Sequence, residues 1–185
     1  MQPSSFRPSR GFTIVETLVA IAVLMIAIAG PLVIANNGLV AAQNAKNQMT
    51  ASFLAQESMM VIKNIKDSNI SVLGANSWLD GLVACSSNST SGCDASAIDS
   101  PRISSCPSTP NPVGGCPLYM IDTGYSHTYN PLRPVQFFRY VTLKGVSCVN
   151  GSPGAECTLS VTVTWYEGSV PENVTLNSEI TKSIR

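Results

Sequence analysis

The residues of this chain whose type and spacing could do chemistry are six cysteines, all of which lie after residue 84. They form three neighbouring pairs: Cys85 with Cys93, Cys106 with Cys116, and Cys148 with Cys157. Zinc ligation and thioredoxin-like redox chemistry lack their usual spacing, since no Cys-x-x-Cys occurs and His127 is the only histidine. Structural disulfides, which suit an exported domain, and free buried thiols are the interpretations that remain.

Disulfide connectivity is not determined by these spacings, because six cysteines can pair in many ways. We predict pairing between nearest neighbours, and the pair with the most support is Cys148 with Cys157. Residues 149–154 between them have the composition of a turn that joins two strands, which brings the strand ends within disulfide reach. Each closed loop of this size adds up to about 3 kcal/mol of stability.

Other catalytic or ligand-binding constellations are missing from the sequence, which has no phosphate-binding loop, G-x-S-x-G elbow, H-E-x-x-H or dinucleotide fingerprint. The acids Asp80, Asp94, Asp99 and Asp122 lack the alternating spacing of a calcium loop. Eleven basic residues balance eleven acidic ones and only 12% of residues are charged, which argues against binding through phosphate neutralisation. We therefore predict a protein that is not an enzyme, uses no cofactor or metal and does not bind nucleic acid directly.

A long uncharged apolar stretch near the N-terminus is the element that would position any functional residues there. Residues 18–35 contain only apolar residues, glycine and proline, and as a helix they span about 27 Å, close to a hydrocarbon core of roughly 30 Å. Residues 1–11 carry Arg7 and Arg10 and no acid, so we expect the N-terminus in the cytoplasm. A cleaved secretory signal peptide is the alternative, but Glu16 at the edge of the apolar run argues against it.

The ten residues at positions 11–20, Gly-Phe-Thr-Ile-Val-Glu-Thr-Leu-Val-Ala, follow a short basic leader. They resemble the processing and methylation motif of type IV prepilins and type II secretion pseudopilins. The resemblance implies that a prepilin peptidase cleaves between Gly11 and Phe12 and N-methylates Phe12. It also implies that Glu16 neutralises the terminal amine of a neighbouring subunit, and pairing offsets the cost of burying either charge alone. The alternative for Glu16 is that it reaches the lipid headgroups.

A long helix is predicted from about Phe12 to about Asp67. Pro31 lies within it, and because proline deletes a backbone hydrogen bond, we expect a kink or local melting there. The second half of the helix is polar and carries an aligned apolar stripe at Met49, Phe53 and Met60. Such a helix is longer than one small domain can bury. Residues 53–57, followed by residues 63–69, also resemble the helix end of small PilV-like minor pilins.

The C-terminal part is predicted to form an antiparallel sheet. The clearest period-two alternation lies at residues 157–166, and further strands are predicted at 135–149 and 174–180. Residues 78–117 are rich in Ser, Asn, Gly, Thr and Pro, which predicts an irregular excursion stapled by disulfides. The predicted fold class is α+β and pilin-like, with a long N-terminal helix packed on a small antiparallel sheet. The predicted organisation is a leader at 1–11, a transmembrane and assembly helix at 12–35, an amphipathic helix at 36–70 and a globular domain at 71–185.

Together with this pattern, the resemblance implies a minor pilin, a non-catalytic structural subunit of a type IV pilus. We expect one inner-membrane span, with a cytoplasmic N-terminus and an extracytoplasmic globular domain before incorporation into the pilus. The expected partners are the prepilin peptidase, other pilin or pseudopilin subunits along the N-terminal helix, and the lipid bilayer before assembly. Two alternatives stay open: a type II secretion pseudopilin, and a membrane-anchored extracytoplasmic binding domain that does not assemble.

Overall fold

The computed structural model describes residues 11–73, 78–86, 92–99, 102–106, 115–122, 124–126, 135–145 and 156–182. Within these residues lie one long helix, α1 (Ile14–Leu73), a short 3-10 turn (Val83–Cys85) and seven strands. The strands are β1 (Cys93–Ala95), β2 (Ile103–Ser105), β3 (Cys116–Ile121), β4 (Gly124–Ser126), β5 (Val135–Lys144), β6 (Glu156–Glu167) and β7 (Val170–Thr181). The chain divides into an N-terminal unit, Met1–Asn44, and a C-terminal unit, Ala45–Arg185.

The N-terminal unit contains the first part of α1, which begins at Ile14 rather than at Phe12. Residues 11–43 of this unit are all exposed. The helix is long and apolar enough, by length and composition, to cross a membrane. It continues through Pro31 without interruption, so the local melting that we expected there is absent, and a bend stays a prediction. The leader, residues 1–10, lies outside the described residues.

In the C-terminal unit, α1 ends at Leu73 rather than near Asp67 and buries one face. The buried residues recur every three or four positions, as the packing of one helix face requires. They are Ala51, Leu54, Ala55, Ser58, Val61, Ile62 and Lys66. The stripe of Met49, Phe53 and Met60 lies outside this buried face, and its residues are 62%, 63% and 66% exposed. Small side chains therefore form part of the packed face. A stripe defined by large apolar residues alone does not identify this face.

The sheet is antiparallel and is organised around β5. One edge of β5 pairs with β6, which pairs in turn with β7 along its full length. The other edge of β5 is shared, because β3 pairs with its first half and β1 pairs with it at Val141. β4 extends the β3 branch and β2 extends the β1 branch. The inward residues of β6 are Cys157, Leu159, Val161, Val163 and Trp165, all buried, so the predicted alternation is confirmed and the fold is α+β.

Residues 78–117 contribute more to the core than the predicted irregular excursion implied. β1, β2 and the start of β3 lie in this segment. Trp78, Leu82 and Ala95 are buried in the same hydrophobic core as the inward residues of β6. Strands of three residues are too short to show a period-two pattern. Composition alone could not distinguish these strands from loop.

Candidate functional site

Three predicted site residues lie just before or in the first turn of α1. Gly11 and Phe12 precede the helix in non-helical backbone, and both are exposed. Thr13 caps the helix, since its Oγ1 accepts a hydrogen bond from the backbone N–H of Glu16 at 3.3 Å. Thr13 and Glu16 thus have the spacing of a capping box, a helix-start signal that is present in the sequence itself. The cap defines where the helix begins and leaves the Gly11–Phe12 bond outside it.

This geometry has two chemical consequences. An exposed peptide bond in irregular backbone is accessible to a peptidase, whereas a bond within a helix is not. Cleavage after Gly11 would leave the amine of Phe12 just before the positive end of the helix dipole. Glu16 lies in the first turn of α1. Its negative carboxylate interacts favourably with the positive end of the helix dipole and with a nearby ammonium group.

Two disulfides are present among the described residues. They join Cys85 to Cys93 and Cys106 to Cys116, with Cα–Cα distances of 4.8 and 4.7 Å, in agreement with nearest-neighbour pairing. Cys157 is also disulfide-bonded. Its predicted partner, Cys148, lies outside the described residues, as does His127, so the third pairing stays a prediction.

Two glycines lie where the branches of the sheet meet. Cys106 follows β2 and Cys116 opens β3, so their disulfide connects the two branches. Gly92 and Gly115 lie beside this junction with φ of +64° and +94°. A Cβ on Gly92 would collide with the ring of Tyr140, and one on Gly115 would lie 2.9 Å from the carbonyl oxygen of Arg139. Both backbone conformation and space therefore require glycine here.

We expect Gly92→Ala to destabilise the C-terminal unit more than Gly168→Ala does. Both glycines have φ of +64°, but a Cβ on Gly168 meets no atom within 4 Å. The Gly168 variant therefore measures backbone strain alone, about 1–2 kcal/mol. Displacement of the Tyr140 ring adds about 1–3 kcal/mol in the Gly92 variant. Urea unfolding followed by tryptophan fluorescence measures the difference, and equal midpoints for the two variants would contradict it.

A buried charge cluster links α1 to the sheet, and we call Arg139, Asp94 and Glu57 the Arg139 cluster. Arg139 and Asp94 are 0% exposed. Arg139 Nε and Nη2 donate to the two carboxylate oxygens of Asp94, the second at 3.1 Å. Arg139 Nη1 donates to Glu57 Oε2 at 2.9 Å and to the carbonyl oxygen of Leu54 at 3.0 Å. The guanidinium thus has charged partners on β1 and on α1.

The electrostatics of the Arg139 cluster keep the guanidinium ionised. Burial by itself lowers the pKa of Arg139, but the charges and hydrogen bonds of Asp94 and then Glu57 outweigh it and raise the pKa above its usual value. The pair with Asp94 is bidentate, the strong form of a charge-assisted hydrogen bond. Since an unpaired buried charge is expensive, the cluster is stable only while its partners remain in place.

Two further polar contacts attach the same turn of α1 to β1 and the residues after it. Ser58 Oγ donates a hydrogen bond to the carbonyl oxygen of Ala95. The backbone N–H of Ala97 donates to Glu57 Oε1 at 2.8 Å. One helical turn therefore contacts β1 and β5 through buried or partly buried polar groups, in addition to apolar packing.

One feature of the sequence indicates that Arg139 is buried and paired. Phe137, Val141 and Leu143 of β5 face the core, and Arg139 has the same parity as these residues. A charged residue at an inward position requires an opposite charge. The sequence therefore indicates that Arg139 has a partner, but it does not indicate which acid that partner is.

Three of the acids that we considered for calcium have other partners in the structure. Asp94 belongs to the Arg139 cluster, Asp99 accepts a hydrogen bond from Ser126 Oγ, and Asp80 Oδ1 accepts one from the N–H of Gly81 at 3.1 Å. Within the described parts of the chain, no group of three His, Cys, Asp or Glu side chains could hold a metal ion.

Comparison with known proteins adds one finding. The family described as the prokaryotic N-terminal methylation motif matches residues 6–30. The match includes Gly11, Phe12 and Glu16 and most of the apolar stretch, and it does not extend into the C-terminal unit. No curated protein and no solved structure matches the chain significantly.

Proposed function

We propose that this chain, a type IV prepilin-like protein by its N-terminal methylation motif, is a minor pilin. In this proposal it is inserted in the inner membrane, cleaved after Gly11 and assembled into a type IV pilus. The motif itself supports a substrate of the pilin or pseudopilin type, and proteins that share it are structural subunits rather than enzymes. The distinction between a pilus and a secretion filament belongs to the proposal.

The observation that carries the proposal is a capped, acidic helix start followed by exposed apolar side chains. Ile14, Leu24 and Ile34 are 81%, 60% and 73% exposed. Contact between so many apolar side chains and water is unfavourable, so the helix needs lipid or other helices around it. A bilayer before assembly and neighbouring subunits afterwards supply these two environments in turn.

Processing changes the charges at the N-terminus in a way that suits this sequence of environments. Hydrolysis of the Gly11–Phe12 bond adds water, releases residues 1–11 with a Gly11 carboxylate and leaves the amine of Phe12. The leader takes away Arg7 and Arg10, the charges that hold the N-terminus at the cytoplasmic face. N-methylation keeps the Phe12 amine basic and positively charged.

Glu16 is then the residue that selects a neighbour during assembly. In a core of apolar helices, an ammonium and a carboxylate are each costly alone and are tolerated as a pair. A pair between Glu16 of one subunit and the Phe12 amine of the next sets the axial offset between two helices that otherwise have only apolar surfaces. Apolar packing supplies the attraction, and the charge pair supplies the register.

Mass spectrometry of the protein from cells with and without the prepilin peptidase tests the processing step. We expect a chain that begins at N-methylated Phe12 in the first strain and an intact Met1 terminus in the second. Gly11→Val, which places a branched side chain at the cleaved bond, is expected to retain the leader even when the peptidase is present. An intact Met1 terminus in both strains would refute cleavage.

A second experiment distinguishes the two filament types. Co-purification of the mature chain with sheared surface pili supports the minor pilin. Loss of exoprotein release on deletion of the gene, with pili intact, supports a type II secretion pseudopilin. A processed chain that stays in the membrane under both conditions supports a membrane-anchored binding domain instead.

A further inference from the structure

β1 is a three-residue strand that contacts α1 directly through Ala95 and indirectly through Asp94, which holds the guanidinium that α1 also contacts. Asp94 on β1 pairs with Arg139, and the carbonyl oxygen of Ala95 accepts from Ser58. The N–H of Ala97, just after the strand, donates to Glu57. The position of β1 therefore determines whether Ser58 has its partner and whether Arg139, which α1 contacts, has its carboxylate.

The backbone pairing that holds β1 is limited. Among the described residues, one register pair joins β1 to β5, Cys93 with Val141, and its other neighbour, β2, is also a three-residue strand. The Cys85–Cys93 disulfide adds a second attachment. Cys85 is next to Ser86, which forms a parallel bridge with Leu143 of β5. The disulfide thus connects β1 to β5 by a route that does not use the hydrogen bonds of β1 itself.

Displacement of β1 would leave Arg139 with partners on α1 alone. The guanidinium would lose the bidentate pair with Asp94, and it would keep only Glu57 and the carbonyl oxygen of Leu54. The free energy of a buried charge with too few partners falls when the charge reaches water. Arg139 is fully buried and contacts α1 through Nη1, so separation of the helix from the sheet at this point would let the guanidinium reach water.

We propose that oxidation of Cys85 and Cys93 is a redox switch that docks the C-terminal part of α1 on the sheet. Two thiols and an external disulfide exchange to give the Cys85–Cys93 disulfide and two external thiols, so electrons and protons balance. The oxidised chain holds Asp94 against Arg139, and the helix docks. In the reduced chain β1 is released, Arg139 lacks its main partner and the helix undocks.

This switch is independent of the proposed function, because helix docking is a property of the chain before any filament forms. A chain that is never cleaved or assembled still shows it. Failure of the processing experiment would leave the switch intact, and failure of the switch would leave the processing proposal intact.

The test is amide hydrogen exchange of the full chain in detergent micelles, read for residues 51–66 of α1 and for β6 and β7. Cys85→Ser with Cys93→Ser removes the proposed switch. Cys106→Ser with Cys116→Ser is the matched control, because the two disulfides close loops of similar length, 8 and 10 residues. Asp94→Leu with Arg139→Met, made in the native and in the Cys85/Cys93 background, removes the buried charges on which the coupling depends.

We expect the Cys85/Cys93 variant to lose at least about a hundredfold of the protection at residues 51–66, the equivalent of breaking a buried ion pair. β6 and β7 stay protected, and the control variant keeps its helix protection. Asp94→Leu with Arg139→Met restores the helix to within about tenfold of the native chain, since both fully buried charges of the cluster are gone and Glu57, which is 23% exposed, keeps access to water. Equal helix loss in the two disulfide variants, loss of β6 and β7 protection together with the helix, or no restoration would each overturn the switch.

Discussion

Glu16→Leu is expected to remove the chain from assembled filaments and to leave it in the membrane, cleaved after Gly11. The leucine keeps the helix apolar, so we expect membrane insertion to be unaffected, but in the proposed filament the Phe12 amine of the neighbouring subunit would lose its partner. Breaking a buried ion pair on one side costs about 3–5 kcal/mol, which corresponds to more than about a hundredfold in incorporation. Immunoblots of sheared filaments and of membranes measure the two populations.

Glu16→Gln is the matched control, because glutamine satisfies a capping box as glutamate does but carries no charge. If the charge pair is the determinant, Glu16→Gln is lost from filaments to nearly the same extent as Glu16→Leu. Normal incorporation of Glu16→Gln would show instead that Glu16 acts on the start of its own helix, through the cap made with Thr13. Normal incorporation of both variants would refute any assembly role.

Asp94→Asn is expected to destabilise the C-terminal unit by about 3–5 kcal/mol, because it leaves the fully buried guanidinium of Arg139 with a neutral partner in place of its bidentate carboxylate. Glu57→Gln is expected to cost about 1 kcal/mol or less, since this side chain is 23% exposed and glutamine can still accept from the N–H of Ala97.

Urea unfolding of the full chain measures this difference. Trp78 and Trp165 are both buried in the C-terminal unit, so tryptophan fluorescence reports on that unit. Both substitutions keep the size and shape of the side chain. They differ mainly in how deeply the replaced carboxylate is buried. Equal shifts for Asp94→Asn and Glu57→Gln would mean that burial does not decide the energetics of the Arg139 cluster.

The part of the site that could be predicted from sequence is the part that is local in the chain. Gly11, Phe12 and Glu16 lie within six consecutive positions, and the methylation motif covers all of them. The long helix and the β6 alternation were also predictable, because each is a periodic pattern within one segment. The predicted ends of α1 were less accurate than its existence, since caps and tertiary contacts determine where a helix begins and stops.

What the sequence by itself determined is a membrane-competent helix with a processing motif and an α+β fold. Nearest-neighbour pairing of the cysteines was a prediction that the structure confirms for Cys85 with Cys93 and for Cys106 with Cys116. Only the tertiary structure decided that Arg139 meets Asp94 and Glu57, which lie 45 and 82 positions away in the chain. It also decided that three-residue strands from a polar segment enter the core. Contacts of this kind arise when the sheet brings distant strands together under a helix, and no local pattern of residue types specifies which acid will then lie beside a buried guanidinium.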